Sequence, residues 1–143
     1  MSALTRKLRL KGELQYVRQA CDFVAEAARE FGLSEDSVFH CELSVEEIFA
    51  NIVEHGYEFN GADKSIEIHV TYDSQGLIIT LIDESPEFNP LEVKEADPTT
   101  PLWERQTGGW GVFFVRNLMD DVRYKFIEGR NHLVLEKKRS LTA

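Results

Sequence analysis

Residues 42–57 read ELSVEEIFANIVEHGY, the second half of a helix that the pattern predicts from about 34 to 55. Glu47, Asn51 and His55 are spaced four residues apart, so they share one polar stripe of that helix. The stripe is either a solvated flank or the wall of a pocket in which Glu47 acts as a base and Asn51 supplies an oxygen to Mg²⁺. At about 100° per residue the stripe borders an arc that should face the core: Val38, Cys41, Val45, Ile48, Phe49 and Ile52.

Alternating and helical hydrophobic patterns occur on both sides of this helix, outside residues 84–108. They place helices at 13–31 and 110–119, and strands at 5–11, 65–72, 77–82, 122–127 and 132–138. The order β-α-α-β-β-loop-α-β-β predicts an α+β two-layer sandwich, with a mostly antiparallel sheet covered on one face by helices. We find no repeat, and we expect residues 1–143 to form a single domain.

Asp83 directly follows the apolar strand 77–82, at the position where a strand ends at the rim of a pocket. A lone carboxylate there is suited to accept a hydrogen bond from an amino-bearing heterocycle such as adenine. Taken alone, the residues 83–86 (DESP) favour an ordinary turn over such a site.

The segment 84–108 contains all four prolines and few apolar residues, a composition typical of a ligand lid or of disorder. It ends in residues 107–111 (TGGWG), immediately ahead of a predicted helix. Three glycines in four positions let backbone N–H groups approach a phosphate at a helix N-terminus. Glycine pairs are also common at flexible loop ends, so this motif alone does not establish a phosphate site.

In this order, the segments 42–57, 83–90 (DESPEFNP) and 108–124 (GGWGVFFVRNLMDDVRY) resemble bacterial anti-sigma factor serine/threonine kinases. These kinases belong to the Bergerat-fold, histidine-kinase-like ATPase superfamily, and the resemblance covers roughly residues 5–138. It implies a Bergerat ATP-binding fold and a Mg-ATP-dependent protein serine/threonine kinase. It also implies partner switching, in which the kinase sequesters a sigma factor and phosphorylates an anti-sigma factor antagonist, and a homodimer.

The resemblance assigns roles residue by residue. Glu47 matches the general base, Asn51 the Mg²⁺ ligand, and Asp83 the adenine-reading carboxylate. Arg105 is either a charge contact to the γ-phosphate or partner, or a surface arginine. The nucleotide-binding positions that complete the set are His55, Ser85, Thr107, Gly108, Gly109, Gly111 and Val112.

Ser85 departs from the family pattern, which is Asp-x-Gly after the adenine-reading aspartate. Glycine permits close approach of the backbone to the base, so Ser85 either weakens ATP binding or hydrogen-bonds the nucleotide. This departure supports an alternative, a non-catalytic partner-binding module of the same fold with ATP structural or absent. A third alternative is a regulatory ATPase domain that phosphorylates no protein.

Composition excludes several other classes. There are 16 Lys and Arg residues against 25 Asp and Glu, and a net charge of −9 argues against direct binding of nucleic acid or of an anionic membrane. The longest apolar run, 77–82, is too short for a membrane helix, and residues 1–10 do not resemble a signal peptide. Cys21 and Cys41 are isolated in helical patterns, so we expect reduced core cysteines and a cytoplasmic protein.

Overall fold

A computed structural model of the chain describes residues 4–92 and 109–139. These residues form a five-stranded sheet and three α-helices in the predicted chain order. The elements are β1 (Leu4–Gly12), α1 (Val17–Glu30), α2 (Glu35–Asn51), β2 (Gly61–Tyr72), β3 (Gly76–Asp83), α3 (Gly109–Leu118), β4 (Asp121–Ile127) and β5 (Arg130–Lys138).

The strands lie in the order β1-β2-β3-β5-β4, and every neighbouring pair is antiparallel. β3 is therefore central, and its last residue, Asp83, pairs with Ile66 on β2 and with Asn131 on β5. Ile66 and Ile68 are fully buried under the helices, whereas Glu67 between them is partly exposed on the other face. The predicted α+β two-layer sandwich with one helix-covered face is confirmed.

α2 forms as its sequence predicts. The Ser34 hydroxyl caps its first turn by accepting a hydrogen bond from the backbone N–H of Ser37 at 3.2 Å. Glu35 and Asp36 lie in the first turn, where the helix dipole favours negative charge. The predicted core-facing arc is confirmed, because all of its members are buried: Val38, Cys41, Val45, Ile48, Phe49 and Ile52.

Three boundaries differ from the prediction by four residues. α1 begins at Val17, after a short 3-10 turn, instead of at 13. The chain continues past Asn51 as a π-helical turn, Ile52–Gly56, and not as α-helix. β2 begins at Gly61, four residues earlier than predicted, because Gly61 pairs with Gly12 at the end of β1. The two backbones approach so closely that a Cβ on Gly61 would lie 2.2 Å from the backbone oxygen of Gly12. Hydrophobic alternation carries no signal for such a close backbone approach.

Both cysteines are free and buried, as predicted. Burial is the main cause that raises the pKa of Cys21 to about 11 and that of Cys41 to about 12, so the thiolate forms are suppressed. In residues 4–92 and 109–139, no helix has the length and apolar character needed to cross a membrane.

Candidate functional site

Asp83 is a buried carboxylate at the end of the central strand. Alternation along β3 directs Asp83 to the same helix-covered face as the fully buried Leu77, Ile79 and Leu81. Only 6% of Asp83 is exposed, and a carboxylate in such surroundings requires hydrogen-bond partners.

Three hydrogen bonds converge on one oxygen of this carboxylate. Asp83 Oδ1 accepts from the backbone N–H of Ser85 at 2.9 Å, from the Ser85 hydroxyl at 2.5 Å, and from Asn131 Nδ2 at 3.1 Å. No described residue donates to Oδ2, and Asp83 lines a cavity of about 490 Å³. One oxygen is therefore held by the protein, while the other is available to a hydrogen-bond donor in the cavity.

Asn131 connects this carboxylate to the chain segment that follows β3. Besides Asp83, the backbone oxygens of Ser85 at 3.0 Å and Pro86 at 3.2 Å lie within hydrogen-bond distance of its Nδ2, whose two hydrogens these acceptors share. Its Oδ1 accepts from the backbone N–H of Phe88 at 3.1 Å and from the Tyr124 hydroxyl at 2.5 Å. Because a backbone N–H can only donate, the Phe88 contact fixes which end of the amide is oxygen.

Asn131 was not predicted from the sequence, although β5 carries a signal for it. Asn131, Leu133 and Leu135 are buried and occupy alternate positions, so they share the core-facing side of β5. A polar amide in a row of core-facing apolar residues indicates a buried hydrogen-bond network.

Tyr57 was also missed, and it fixes the end of β3 from the other side. Its hydroxyl donates to the backbone oxygen of Ser65 at 2.6 Å and accepts from the backbone N–H of Glu84 at 2.8 Å. The tyrosine ring packs tightly over Gly12, where a Cβ would lie 2.6 Å from the ring. Tyr57 therefore bridges the π turn of the helix layer to β2 and to the residue after Asp83.

Ser85, the departure from the family pattern, is accommodated by a glycine. A Cβ on Gly56 would lie 2.9 Å from the Ser85 hydroxyl oxygen, so the serine side chain uses the space that Gly56 leaves. The hydroxyl is buried, and it occupies Oδ1 of Asp83 rather than Oδ2.

The structure brings five predicted residues to the wall of the same cavity: Asn51, His55, Asp83, Ser85 and Val112. They come from α2, the π turn, the end of β3, the segment after it, and α3. π turns are frequent at functional sites because they change the direction of helix side chains. The predicted polar stripe of the second helix thus borders the cavity at Asn51 and His55.

Glu47 lies one turn before Asn51 and does not line the cavity that the described residues form. It is half-buried, and its pKa is raised, first by that burial and then by the negative charges of Glu46 and Glu54. A carboxylate with a raised pKa is suited to accept a proton nearer to neutral pH than an exposed glutamate is.

The N-terminus of α3 lies at the same cavity, because Val112, in its first turn, is buried and lines it. Gly109 begins the helix and Gly111 belongs to its first turn, where backbone N–H groups have no partner within the helix. The predicted Arg105, Thr107 and Gly108 lie outside the described residues, as does the part of the predicted lid from 93 to 108.

Across the described ranges, no group of three or more His, Cys, Asp or Glu side chains is placed to hold a metal ion. A Mg²⁺ ion at Asn51 would need no such cluster if its other oxygens came from phosphates and water. This donor set fits Mg²⁺, which keeps several waters and is commonly bound together with substrate phosphates.

Comparisons with known proteins agree with this architecture. A family model described as the histidine kinase-like ATPase domain matches residues 10–137. The chain is 27% identical over 106 residues to the serine-protein kinase RsbW of Halalkalibacterium halodurans, covering 71% of this chain and 64% of that kinase. It thus spans somewhat less than two thirds of that relative. The RsbW of Oceanobacillus iheyensis is 26% identical over 123 residues, which cover 82% of this chain and 76% of the relative.

A solved structure with the RsbU and RsbW domains of a Mycobacterium tuberculosis protein is similar in fold. It superimposes with a TM-score of 0.69 at 17% identity, covering 98% of this chain and 34% of that chain. At this identity the likeness shows the fold alone.

Proposed function

Because the chain belongs to the histidine kinase-like ATPase domain family, we propose that it is a Mg-ATP-dependent serine/threonine protein kinase with an anti-sigma regulatory role. The observation that carries the proposal is Oδ2 of Asp83, which accepts no hydrogen bond from any described residue; Asp83 is mostly buried and lines a cavity of about 490 Å³. The 6-amino group of adenine is a donor of matching chemistry, and a base that lacks it would leave the buried carboxylate unsatisfied.

The other walls of the cavity suit the phosphates. The amide oxygen of Asn51 would hold Mg²⁺, and His55 lies one turn further along the same wall. A bound Mg²⁺ would neutralise charge on the phosphoryl oxygens. Backbone N–H groups at Gly108, Gly109 and Gly111 would cradle the phosphates at the N-terminus of α3. Thr107 would belong to this loop, and Arg105 would contact the γ-phosphate.

Glu47 is the proposed general base. Its carboxylate takes the proton from a serine or threonine hydroxyl of the substrate protein while the hydroxyl oxygen attacks the γ-phosphorus. The bond between the γ-phosphorus and the β–γ bridging oxygen breaks, and ADP leaves with the bridging oxygen. The raised pKa of Glu47 supports this role, since the base must hold a proton during the step.

The regulatory part of the proposal is supported by relatives that are named serine-protein kinase RsbW. We infer that the chain, as one domain over residues 1–143 and as a cytoplasmic homodimer, holds a sigma factor and phosphorylates an anti-sigma factor antagonist. A phosphate adds about two negative charges to the antagonist. Because this chain has a net charge of −9, the added charge would weaken its hold on the phosphorylated antagonist.

The pH dependence of phosphotransfer follows from the environment of Glu47. A base must be deprotonated, so its raised pKa places the acidic limb of the rate profile above the pH expected for an ordinary glutamate. Glu46→Gln removes one of the charges that raise this pKa, and the limb should move to lower pH with an unchanged plateau. Profiles of kcat/KM against pH for both proteins measure the shift. A move to higher pH would contradict the assignment.

Asp83→Asn tests the proposed nucleotide site. Three donors hold the oxygen at the Oδ1 position, so the new amide nitrogen must face the cavity. A donor then meets the 6-amino group of adenine, and we expect affinity for Mg-ADP to fall about 10- to 100-fold. Mg-IDP carries an acceptor at position 6, so its affinity should not fall. Calorimetry with both nucleotides measures the two changes.

Asp63→Asn is the matched control, because Asp63 is an exposed residue of β2 and undergoes the same chemical change. Equal loss of ADP and IDP affinity in Asp83→Asn would count against base recognition by Asp83. A wild-type protein that binds neither nucleotide would reject the kinase proposal.

Ser85 is the observation that favours the second candidate, a non-catalytic partner-binding module of this fold. Its buried hydroxyl takes up space beside Asp83 that glycine would leave open. This candidate predicts partner binding that is independent of nucleotide and of Glu47. Measuring partner affinity with and without Mg-ADP separates it from the kinase.

A further inference from the structure

Asn131 is a buried polar side chain that the proposed phosphotransfer does not use. It is 6% exposed and lies directly opposite Asp83 in the β3–β5 register. Both ends of its side-chain amide have hydrogen-bond partners. Nδ2 donates to Asp83 and to the backbone oxygen of Ser85, and Oδ1 accepts from Phe88 and Tyr124. A buried amide bonded in this way orients its neighbours as well as itself.

We propose that Asn131, together with Ser85, is a positioning residue that makes the cavity selective for a purine with a 6-amino group. This inference rests on the proposed nucleotide-binding function and adds the determinants of base selectivity to it.

The orientation of the Asp83 carboxylate is the first feature that these two residues control. A carboxylate without partners rotates about its last side-chain bond, and either oxygen then faces a ligand. Here every donor that Ser85 and Asn131 direct at the carboxylate reaches Oδ1, so the carboxylate plane is fixed. Among the described residues none donates to Oδ2, which is left for the ligand. A preorganised acceptor loses little conformational entropy on binding and discriminates strongly against a ligand without the matching donor.

The cavity wall beside this acceptor is the second feature that Asn131 controls. Pro86 and Phe88 both line the cavity, and both are bonded through their backbones to the Asn131 amide. One side chain of β5 therefore sets the position of Oδ2 and of the wall next to it. Ser85 completes the network because Gly56 leaves room for its hydroxyl.

Calorimetry of the full chain with Mg²⁺ tests this inference, using ADP and purine riboside 5′-diphosphate, which lacks the 6-amino group. The ratio of the two affinities reports recognition of that group. Asn131→Ala should reduce the wild-type ratio about tenfold, while affinity for the purine riboside nucleotide changes less than about threefold. Ser85→Ala, which keeps the backbone donor, should reduce the ratio about threefold.

His132→Ala is the control, because His132 is the next residue of β5 and lies on the opposite face of the sheet. It should leave the ratio unchanged. Thermal unfolding shows whether each variant is folded. If Asn131→Ala is unfolded, the affinity ratio of Ser85→Ala tests the inference instead.

Equal loss of both affinities in a folded variant would overturn the inference, since a merely structural role lowers both alike. A wild-type ratio near one would also overturn it while leaving nucleotide binding intact. Wild-type protein that binds neither nucleotide would instead reject the proposed function.

Discussion

Glu47→Gln is expected to lower the phosphotransfer rate roughly 10²- to 10⁴-fold, the range that general-base catalysis contributes. Glutamine has nearly the same shape but cannot accept the hydroxyl proton. Affinity for Mg-ADP should change little, because Glu47 does not line the cavity that holds Asn51 and Asp83. Single-turnover transfer of labelled phosphate to the antagonist that the wild type phosphorylates measures the rate, and calorimetry measures the affinity.

Glu46→Gln is the matched control for this variant. Glu46 precedes Glu47, is exposed, and undergoes the same loss of charge, yet its variant should keep the plateau rate. If Glu47→Gln kept the wild-type rate, Glu47 would not be the general base, and another group would accept the proton. Loss of ADP affinity and of rate together would assign Glu47 to binding.

The helix layer of this fold was predictable because its determinants are local. The buried arc of α2 follows from the spacing of apolar residues such as Val38, Val45 and Phe49, and its start follows from Ser34. The apolar strand that precedes Asp83 likewise placed this carboxylate at the end of a buried strand. Its position in the centre of the sheet depends on the pairing of β3 with β5, which local periodicity does not encode.

The hydrogen-bond network around Asp83 was not predictable for the same reason. Asn131 is 48 residues from Asp83 along the chain, and only the β3–β5 register brings the two together. The role of Ser85 depends in turn on the space beside Gly56, which belongs to the helix layer. Ser85 is recognisable from the sequence as a departure from the Asp-x-Gly motif. The effect of that departure, however, depends on Gly56 and Asn131, which lie outside this motif.

Asn51→Ala is expected to abolish the contribution of Mg²⁺ to nucleotide affinity and to lower phosphotransfer about 100-fold or more. No described residue hydrogen-bonds the side-chain amide of Asn51. Because Asn51 lines the cavity together with Val112 of α3, its side-chain oxygen is available to a cation there. Removing it should bring the affinity for ADP with Mg²⁺ down to the affinity without Mg²⁺. Calorimetry at matched ionic strength, with and without Mg²⁺, measures the difference.

Asn117→Ala separates this effect from the general loss of a helical asparagine. Asn117 is an exposed residue of α3 whose amide donates to the backbone oxygen of Phe113 at 2.8 Å, so its replacement should leave Mg²⁺ dependence unchanged. An Asn51→Ala protein that still binds ADP more tightly with Mg²⁺ would show that the ion is held by phosphates and other groups alone. The polar stripe of α2 would then serve nucleotide contact without metal ligation, and the role of Asn51 as a Mg²⁺ ligand would be rejected.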